Sequence, residues 1–210
     1  MMSLKKRAKL EALGQCRDSA DGAPDLAFTP ESVRGGSLPH GDGSAASVTA
    51  LDVLEHVEQD DRLLREWHRV LRPGGRLRLS VPRVEPHLGL NRLRRALGMR
   101  AEVYGHVREG YSIAGLAGKL EGAAFDVAAV RPFCGAFTEL IELLLNRVYL
   151  TLSGNCISPL REEGSTRSRM AAAAYSLAYP FLRPVTWLDR IAFPHQRYGV
   201  VIEAVKRRGR

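Results

Sequence analysis

Three side chains that could do chemistry follow one another closely at Asp52, Glu55 and His56. Their spacing of three and four residues would place them on one face of a helical turn, where they offer oxygen and nitrogen ligands to a metal ion. His56 could instead accept a proton, because imidazole is the side chain that most often acts as a general base. Glu55 has the simpler explanation that it caps or pairs at the start of the helix that follows. We therefore predict no metal site and keep His56 as a catalytic candidate.

A second group of reactive side chains lies in the long connection at residues 84–112, which holds Tyr104 and His106. Long ordered loops that follow strands often form the walls of substrate sites. His106 is therefore a second candidate for proton transfer. The alternative for both histidines is a structural role, as a hydrogen-bonding group at a helix start or within the loop.

The elements around these residues follow from hydrophobic periodicity. An aliphatic run at residues 47–54 predicts a buried strand, apolar positions at helical spacing predict a helix over residues 63–71, and alternation predicts a strand over residues 76–82. Strand, helix and strand in this order indicate a parallel βαβ unit. Further along, the patterns predict a helix at 112–123, a strand at 125–133 and a final strand at 197–207.

Composition narrows the class of protein. The chain has 210 residues, 45% of them hydrophobic, which suits one globular domain with an appendage. The net charge of +8 favours anionic partners, but the basic residues are scattered without interleaved aromatics, which argues against a nucleic-acid partner. Three widely spaced cysteines exclude a disulfide framework and a zinc knuckle and favour a reducing cytoplasm.

Two apolar segments bear on membrane contact. Residues 170–182 are too short to span a bilayer and are interrupted by Pro180, whereas residues 134–152 carry Glu139, Glu142 and Arg147 and have the pattern of an amphipathic helix. We predict a helical insertion over residues 134–185 that packs over a substrate cleft or the core. The open alternative is that these helices contact a lipid surface from one side. The predicted location is therefore the cytoplasm, and under this alternative the protein is also peripheral to the membrane.

Three blocks of the sequence occur together in a known family. SLPHGDGSAASVTALDVLEHV, LLREWHRVLRPGGRLRLSVP and GHVREGYSIAGLAGKLEGAAFDV, in this order, resemble class I S-adenosylmethionine-dependent methyltransferases of the type 11 and related small-molecule group. The resemblance covers roughly residues 33–133, and YGVVIEAVKR is similar to the family's last strand. We accordingly divide the chain into an irregular segment, residues 1–32, and a methyltransferase-like domain, residues 33–210.

The resemblance implies a doubly wound, Rossmann-like α/β sheet whose last strand is antiparallel to the others. It also implies that S-adenosylmethionine lies across the carboxyl ends of the strands, with Ala50, Leu51 and Asp52 beside its methionine part and Ser37 and Leu38 near its adenine. The expected acceptor is a small molecule, hydrophobic or glycan-linked. Because methyl transfer is an in-line displacement, His56 or His106 would have to position or deprotonate that acceptor.

The chain departs from the family at its beginning. It lacks the glycine-rich turn of the form DxGxGxG, and Asp25 is the only candidate for a remnant of the acid that would hold the ribose. The fold is thus expected to be N-terminally incomplete, with the strand at 47–54 left with a bare edge. That edge would be covered by the N-terminal segment, by a second copy in a homodimer, or by sequence missing upstream. The alternative function is a truncated or degenerate domain that binds no cofactor and is an interaction module or a fragment.

Overall fold

The computed structural model describes residues 24–30, 32–33, 37–153, 188–190, 193 and 195–208. The strands in this part of the chain are β1 (Asp25–Phe28), β2 (Ala45–Leu51), β3 (Leu71–Pro82), β4 (Phe125–Gly135) and β5 (Arg197–Lys206). The helices are α1 (Asp60–Val70), α2 (Gly89–Ala96), α3 (Ile113–Gly122) and α4 (Ala136–Ser153). Short 3-10 helices lie at Leu54–His56, Ala101–Tyr104 and Leu188–Arg190.

The five strands form one mixed sheet in the order β1-β2-β3-β5-β4. β1, β2 and β3 are mutually parallel, and β5 lies between β3 and β4 and is antiparallel to both. The parallel strands β2 and β3 are joined through α1, as the βαβ pattern requires. The predicted Rossmann-like methyltransferase sheet with an antiparallel last strand is therefore confirmed.

Helix α1 forms because its apolar residues share one face. Leu63, Leu64, Trp67 and Val70 are buried at spacings of three and four residues, and two aspartates occupy the first turn, where the helix dipole favours negative charge. The helix ends at Val70, where β3 begins, and the irregular start of that strand contains Gly74, whose φ of 77° is readily adopted only by glycine. α1 and α3 cover the same face of the sheet and build one hydrophobic core with it.

The opposite face of the sheet is more polar. The guanidinium of Arg76 on β3 donates to the carboxylate of Glu203 on β5 over 2.8 Å, and Glu203 is only 4% exposed. Arg76 is half-buried, so its charge reaches solvent while its stem lies along the sheet. This cross-strand pair accounts for a charged residue in the middle of the last strand.

The N-terminal segment provides a strand that the sequence did not predict. β1 pairs with β2 from Asp25 opposite Ser47 to Phe28 opposite Ala50. Residues 25–28 lie inside the segment predicted to be irregular, and that prediction is wrong for them. β1 covers the edge of β2 that was expected to be bare, so two chains cannot pair through that edge as they stand. Dimerisation by another surface stays a prediction.

The connection between β3 and α3 is more regular than predicted, since it contains α2 and a 3-10 helix. The first helix of the predicted insertion is present as α4, whereas the apolar segment at residues 170–182 lies outside the described residues. Within the described part of the chain, no helix has the length and hydrophobicity needed to cross a membrane.

A buried ionic cluster ties α1 to the connection that follows β3. Asp60, 3% exposed, accepts hydrogen bonds from Tyr111 Oη at 2.7 Å and Lys119 Nζ at 3.1 Å, and forms an ion pair with Arg108. Burial alone would raise the pKa of Asp60, but the hydrogen bonds from Tyr111 and Lys119 and the charges of Arg108 and Lys119 hold it below its ordinary value. The same burial, with the bond to Asp60, raises the pKa of Tyr111.

We expect Asp60→Asn to lower the free energy of unfolding by roughly 1–3 kcal/mol, because three donors lose an ionised acceptor. A depressed carboxyl pKa stabilises the fold at neutral pH, and this contribution is lost as the pH falls below the ordinary value of 3.8. The difference between wild type and variant should therefore shrink on acidification in urea titrations. Asp61→Asn is the matched control, since Asp61 is 65% exposed, and should change stability by no more than about 0.5 kcal/mol. Equal effects of the two substitutions would contradict the role given to Asp60.

Candidate functional site

The candidate site lies where the parallel strands β2 and β3 end at the same edge of the sheet. Asp52, the first residue after β2, has a φ of 53°, in the left-handed region. Its main-chain N–H donates to the carbonyl of Ser80 at 3.0 Å, and the Ser80 hydroxyl donates to Asp52 Oδ1 at 3.0 Å. Aspartate tolerates this backbone better than most residues. Ser80 therefore holds the Asp52 carboxylate at the strand end, where it is half-buried.

The chain continues into the 3-10 helix Leu54–His56, which positions two of the predicted residues. Glu55 is 0% exposed. His56 is half-buried, and its Nδ1 lies 2.8 Å from the carbonyl oxygen of Gly105. A carbonyl can only accept, so Nδ1 carries the proton and the lone pair of the neutral ring is on Nε2. Gly105 thereby fixes which nitrogen of His56 can accept a proton or bind a cation.

His106 reaches His56 through a tight turn of the loop. Gly105 adopts a φ of 69°, and the N–H of Val107 donates to the carbonyl of Glu55 at 2.7 Å. The rings of His56 and His106 meet edge to face with centroids 4.6 Å apart, and Tyr104 lies 5.5 Å from His106. The structure thus brings together both histidines predicted from sequence; their part in catalysis stays a prediction.

The arrangement of acids differs from the spacing argument. Glu55, His56 and His106 each place one donor atom within 4.8 Å of the others. Asp52, which was expected to share a face with Glu55 and His56, is turned toward Ser80 by its left-handed backbone. The spacing argument was therefore right to place Glu55 beside His56 and wrong to place Asp52 with them. His106 joins this group through the turn at Gly105, whose left-handed backbone a residue with a side chain would resist.

The residues predicted to flank the cofactor fall into two groups with different partners. Ala50 is buried between Phe28 and Leu79, and Leu51 and Asp52 are half-buried at the strand end. Ser37 is exposed, whereas Leu38 is buried.

The main chain of Leu38 is held by α1. Its N–H donates to Glu66 at 3.1 Å, and its carbonyl accepts from Arg69 at 3.2 Å. The hydrogen bond from Arg69 lowers the pKa of Glu66.

Asp25 cannot serve as the ribose acid in this structure. It is the first residue of β1, and the hydroxyl of Ser47 donates to its carboxylate. The amino end of a parallel strand lies at the edge of the sheet opposite to the carboxyl ends, where cofactors of such sheets bind. The expectation that Asp25 is a remnant of that acid is therefore wrong.

A small cavity opens beside His106, between α4 and the connection after β3. Its volume is about 80 Å³, room for a few water-sized groups. The lining combines apolar and ionisable side chains: Pro82, Arg94, Met99, Ala101, Tyr104, His106, Glu109, Glu139, Glu142, Leu143 and Asn146. Glu139 is 3% exposed, forms an ion pair with Arg94 and accepts from the thiol of Cys134 at 3.3 Å. The sequence did not identify these acids as site residues.

Asp189 fixes the start of α4, the helix that walls this cavity. Its carboxylate accepts from the N–H groups of Phe137 at 2.7 Å and Thr138 at 3.1 Å, and from the Thr138 hydroxyl at 2.5 Å. It therefore satisfies two of the N–H groups that the first turn of a helix leaves unpaired. Gly135 leaves room for this carboxylate, since a Cβ there would lie 2.2 Å from Asp189 Cγ.

Comparison with known families identifies the segment that carries the site. Residues 8–79 match the family described as "Methyltransferase domain". This match includes β1, β2, Asp52, Glu55, His56 and α1. The resemblance to class I S-adenosylmethionine-dependent methyltransferases is confirmed, and this match covers about a third of the chain. No protein of curated function matches the chain.

Solved structures with similar folds have low sequence identity. The cyclase SpnF is 20% identical, with a TM-score of 0.49 over 84% of this chain and 55% of its own. A possible histamine N-methyltransferase of Thermotoga maritima is 17% identical, with a TM-score of 0.47 over 82% of this chain and 61% of its own. The YcgJ protein of Bacillus subtilis is 17% identical, with a TM-score of 0.45 over 83% of this chain and 69% of its own. The chain thus spans little more than half the length of SpnF.

We expect neutral His56 to carry its proton on Nδ1, because the Gly105 carbonyl can only accept. Long-range ¹H–¹⁵N NMR above neutral pH distinguishes a protonated from an unprotonated ring nitrogen, and His56→Gln identifies the signals. His195, which is exposed, is the comparison residue in the same spectrum and should show no such fixed preference. A proton on Nε2 of His56 would rule out the geometry described above.

We expect Asp189→Ala to destabilise the protein by about 1–2 kcal/mol, as the loss of a helix cap does. Asp189→Asn should cost less, since one amide oxygen still accepts. Urea unfolding measures both, with Asp126→Asn as a control because Asp126 is 62% exposed and lies outside the cavity. If Asp189→Ala and Asp126→Asn unfold at the same urea concentration, Asp189 does not hold α4.

Proposed function

We propose that this chain is an S-adenosylmethionine-dependent methyltransferase domain that acts on a small molecule. The observation that carries the proposal is the half-buried carboxylate of Asp52, fixed by Ser80 at the carboxyl end of β2. It lies within the segment that matches the methyltransferase domain family. In sheets of this class, ligands bind outside the carboxyl ends of the strands.

The described residues fit one half of this cofactor better than the other. Asp52 can pair with the cationic amino group of the methionine part, because the two oxygens of a carboxylate can accept several hydrogen bonds at the same time. Binding of the adenosyl half requires a turn whose backbone can come close to the cofactor. The turn after β1 instead contains Thr29 and Pro30, and Pro30 has no N–H to donate. The proposal therefore rests on the methionine side of the site.

The two histidines support a role next to the reacting atoms. When bound, S-adenosylmethionine supplies an electrophilic methyl group on sulfur. A hydroxyl or amine of the acceptor would have to lie in line with that methyl group and would give up a proton as it becomes methylated. Nε2 of His56 is the acceptor for this proton, since its Nδ1 is already protonated toward Gly105. His106, in contact with the His56 ring, limits where the acceptor can lie.

The cavity beside His106 supports a hydroxyl-bearing acceptor. Glu109, Glu139 and Glu142 can accept hydrogen bonds from hydroxyl groups, as in a glycan-linked compound. Met99 and Leu143 provide an apolar wall for a hydrophobic portion. Because the cavity is small, it suits one end of such a molecule and leaves the remainder outside.

The second candidate is a methyltransferase-like domain that binds no cofactor and is an interaction module or a fragment. The turn Thr29–Pro30 after β1 favours it, because it replaces the close-approach turn on which adenosyl binding depends. The two candidates differ in one measurable property, the affinity for the cofactor or its product.

Location and partners are proposed from surface chemistry. We infer a cytoplasmic protein with no nucleic-acid partner, in line with its scattered basic residues. On α4, Leu144 is 51% exposed and Val148 is 56% exposed, which supports peripheral contact with a lipid surface as a further possibility for this helix.

We expect S-adenosylhomocysteine to bind the purified chain with a dissociation constant in the micromolar range, about −8 kcal/mol. Asp52→Asn should weaken binding roughly tenfold, because the charge is lost while asparagine still tolerates the left-handed backbone. Isothermal titration calorimetry measures both, and Asp126→Asn, on an exposed part of β4, should bind as wild type does.

Each outcome decides between the two candidates. Binding that depends on Asp52 supports the methyltransferase. A complete lack of heat and of thermal stabilisation with wild type would reject it for this chain and favour the module that binds no cofactor. Binding unaffected by Asp52→Asn would place the cofactor elsewhere than the end of β2.

A further inference from the structure

We propose that Glu55, His56 and His106 form a binding site for a divalent transition-metal cation of the zinc type. One donor atom from each residue lies within 4.8 Å of the other two. Ligand atoms at about 2.0–2.1 Å from a tetrahedral zinc ion are separated by roughly 3.3 Å, so small side-chain rotations would bring these three into place. The proposal departs from the prediction of no metal site made from the sequence, and it does not rest on the methyltransferase function.

The donor set indicates which cations fit. Two imidazoles and one carboxylate suit zinc and neighbouring transition metals, whereas magnesium and calcium prefer sites made of oxygen ligands alone. Three protein ligands also leave one position of a tetrahedral ion open to water or to another molecule. The candidate site would therefore leave one coordination position of the ion open to a further ligand.

The hydrogen bonds around the cluster prepare it for a cation. Metal-bound histidines usually donate their second ring N–H to a carbonyl or a carboxylate, which orients the ring. The Nδ1 of His56 does so toward Gly105 at 2.8 Å and directs the lone pair of Nε2 away from that contact, so a cation and the proton of the acceptor would compete for this lone pair. Glu55 is 0% exposed, and negative charge in such a place is stabilised by a nearby cation.

The main chain holds the ligands together without a metal. The bond from Val107 N–H to the Glu55 carbonyl, 2.7 Å, and the bond from His56 to Gly105 join the 3-10 helix to the loop. His106 lies between these two attachment points. A cation would add a third link between the same segments, so its binding should stabilise the folded chain.

The test uses the full chain, freed of any affinity tag and treated with chelator, and zinc ion alone as the probe. We expect one equivalent of zinc to bind, measured by calorimetry and by elemental analysis after gel filtration, and the melting temperature to rise. Cobalt(II) should give the visible absorption bands of a tetrahedral site. Magnesium at the same concentration should neither bind nor raise the melting temperature.

Three variants locate the site. His106→Gln and Glu55→Gln should each weaken zinc binding about tenfold or more, as loss of a supporting or ligating group does. His87→Gln, which removes a half-exposed histidine outside the cluster, should leave affinity unchanged. Circular dichroism in chelator checks that each variant folds, and the partly exposed His106 serves if Glu55→Gln does not fold.

The results that would overturn the proposal are specific. Substoichiometric zinc, or zinc that binds His106→Gln as tightly as wild type, would mean that the ion associates elsewhere. A preference for magnesium would contradict the assigned donor set. Because no cofactor is present in these experiments, failure of S-adenosylhomocysteine to bind leaves the metal result unaffected, and failure of zinc to bind leaves the cofactor result unaffected.

Discussion

The pairing of Asp25–Phe28 with Ser47–Ala50 is the interaction on which the site depends. β2 is buried along nearly its whole length, and the amide groups of a buried strand need partners on both sides. β3 provides one side, and four residues of β1 provide the other. With β2 held in this way, its last residue reaches Ser80, and the following 3-10 helix presents Glu55 and His56 at the edge of the sheet.

A second constraint comes from the contact between this 3-10 helix and the loop at Gly105. Two hydrogen bonds across 49 and 52 residues of sequence bring the His106 ring against His56. The contact exists because Gly105 takes a left-handed conformation and turns its carbonyl toward His56. The chemistry of the site therefore depends on one backbone carbonyl as much as on the side chains that would react.

The sequence predicted the elements with strong periodicity and failed where the structure depends on distant contacts. α1, β3, α3, β4 and β5 all lie where the apolar patterns indicated, because each buries a continuous face. β1 was missed because DLAF is too short to show a pattern and is a strand only through its pairing with β2. α2 was missed for a similar reason, since of its eight residues only Asn91 is buried.

The candidate site shows the same limit. A helical spacing argument placed Asp52 with Glu55 and His56, but a single left-handed residue turned its carboxylate toward Ser80. His106 was chosen as a separate candidate, and nothing local in the sequence could join it to Glu55.

The Arg76–Glu203 pair has a consequence for assembly of the sheet. Side chains alternate between faces, so sliding β5 past β3 by one residue would carry Glu203 from beside Arg76 into the layer of Leu77 and Leu79. The ion pair thus disfavours that alignment of the two strands, because it would bury a charge without its partner among hydrocarbon side chains.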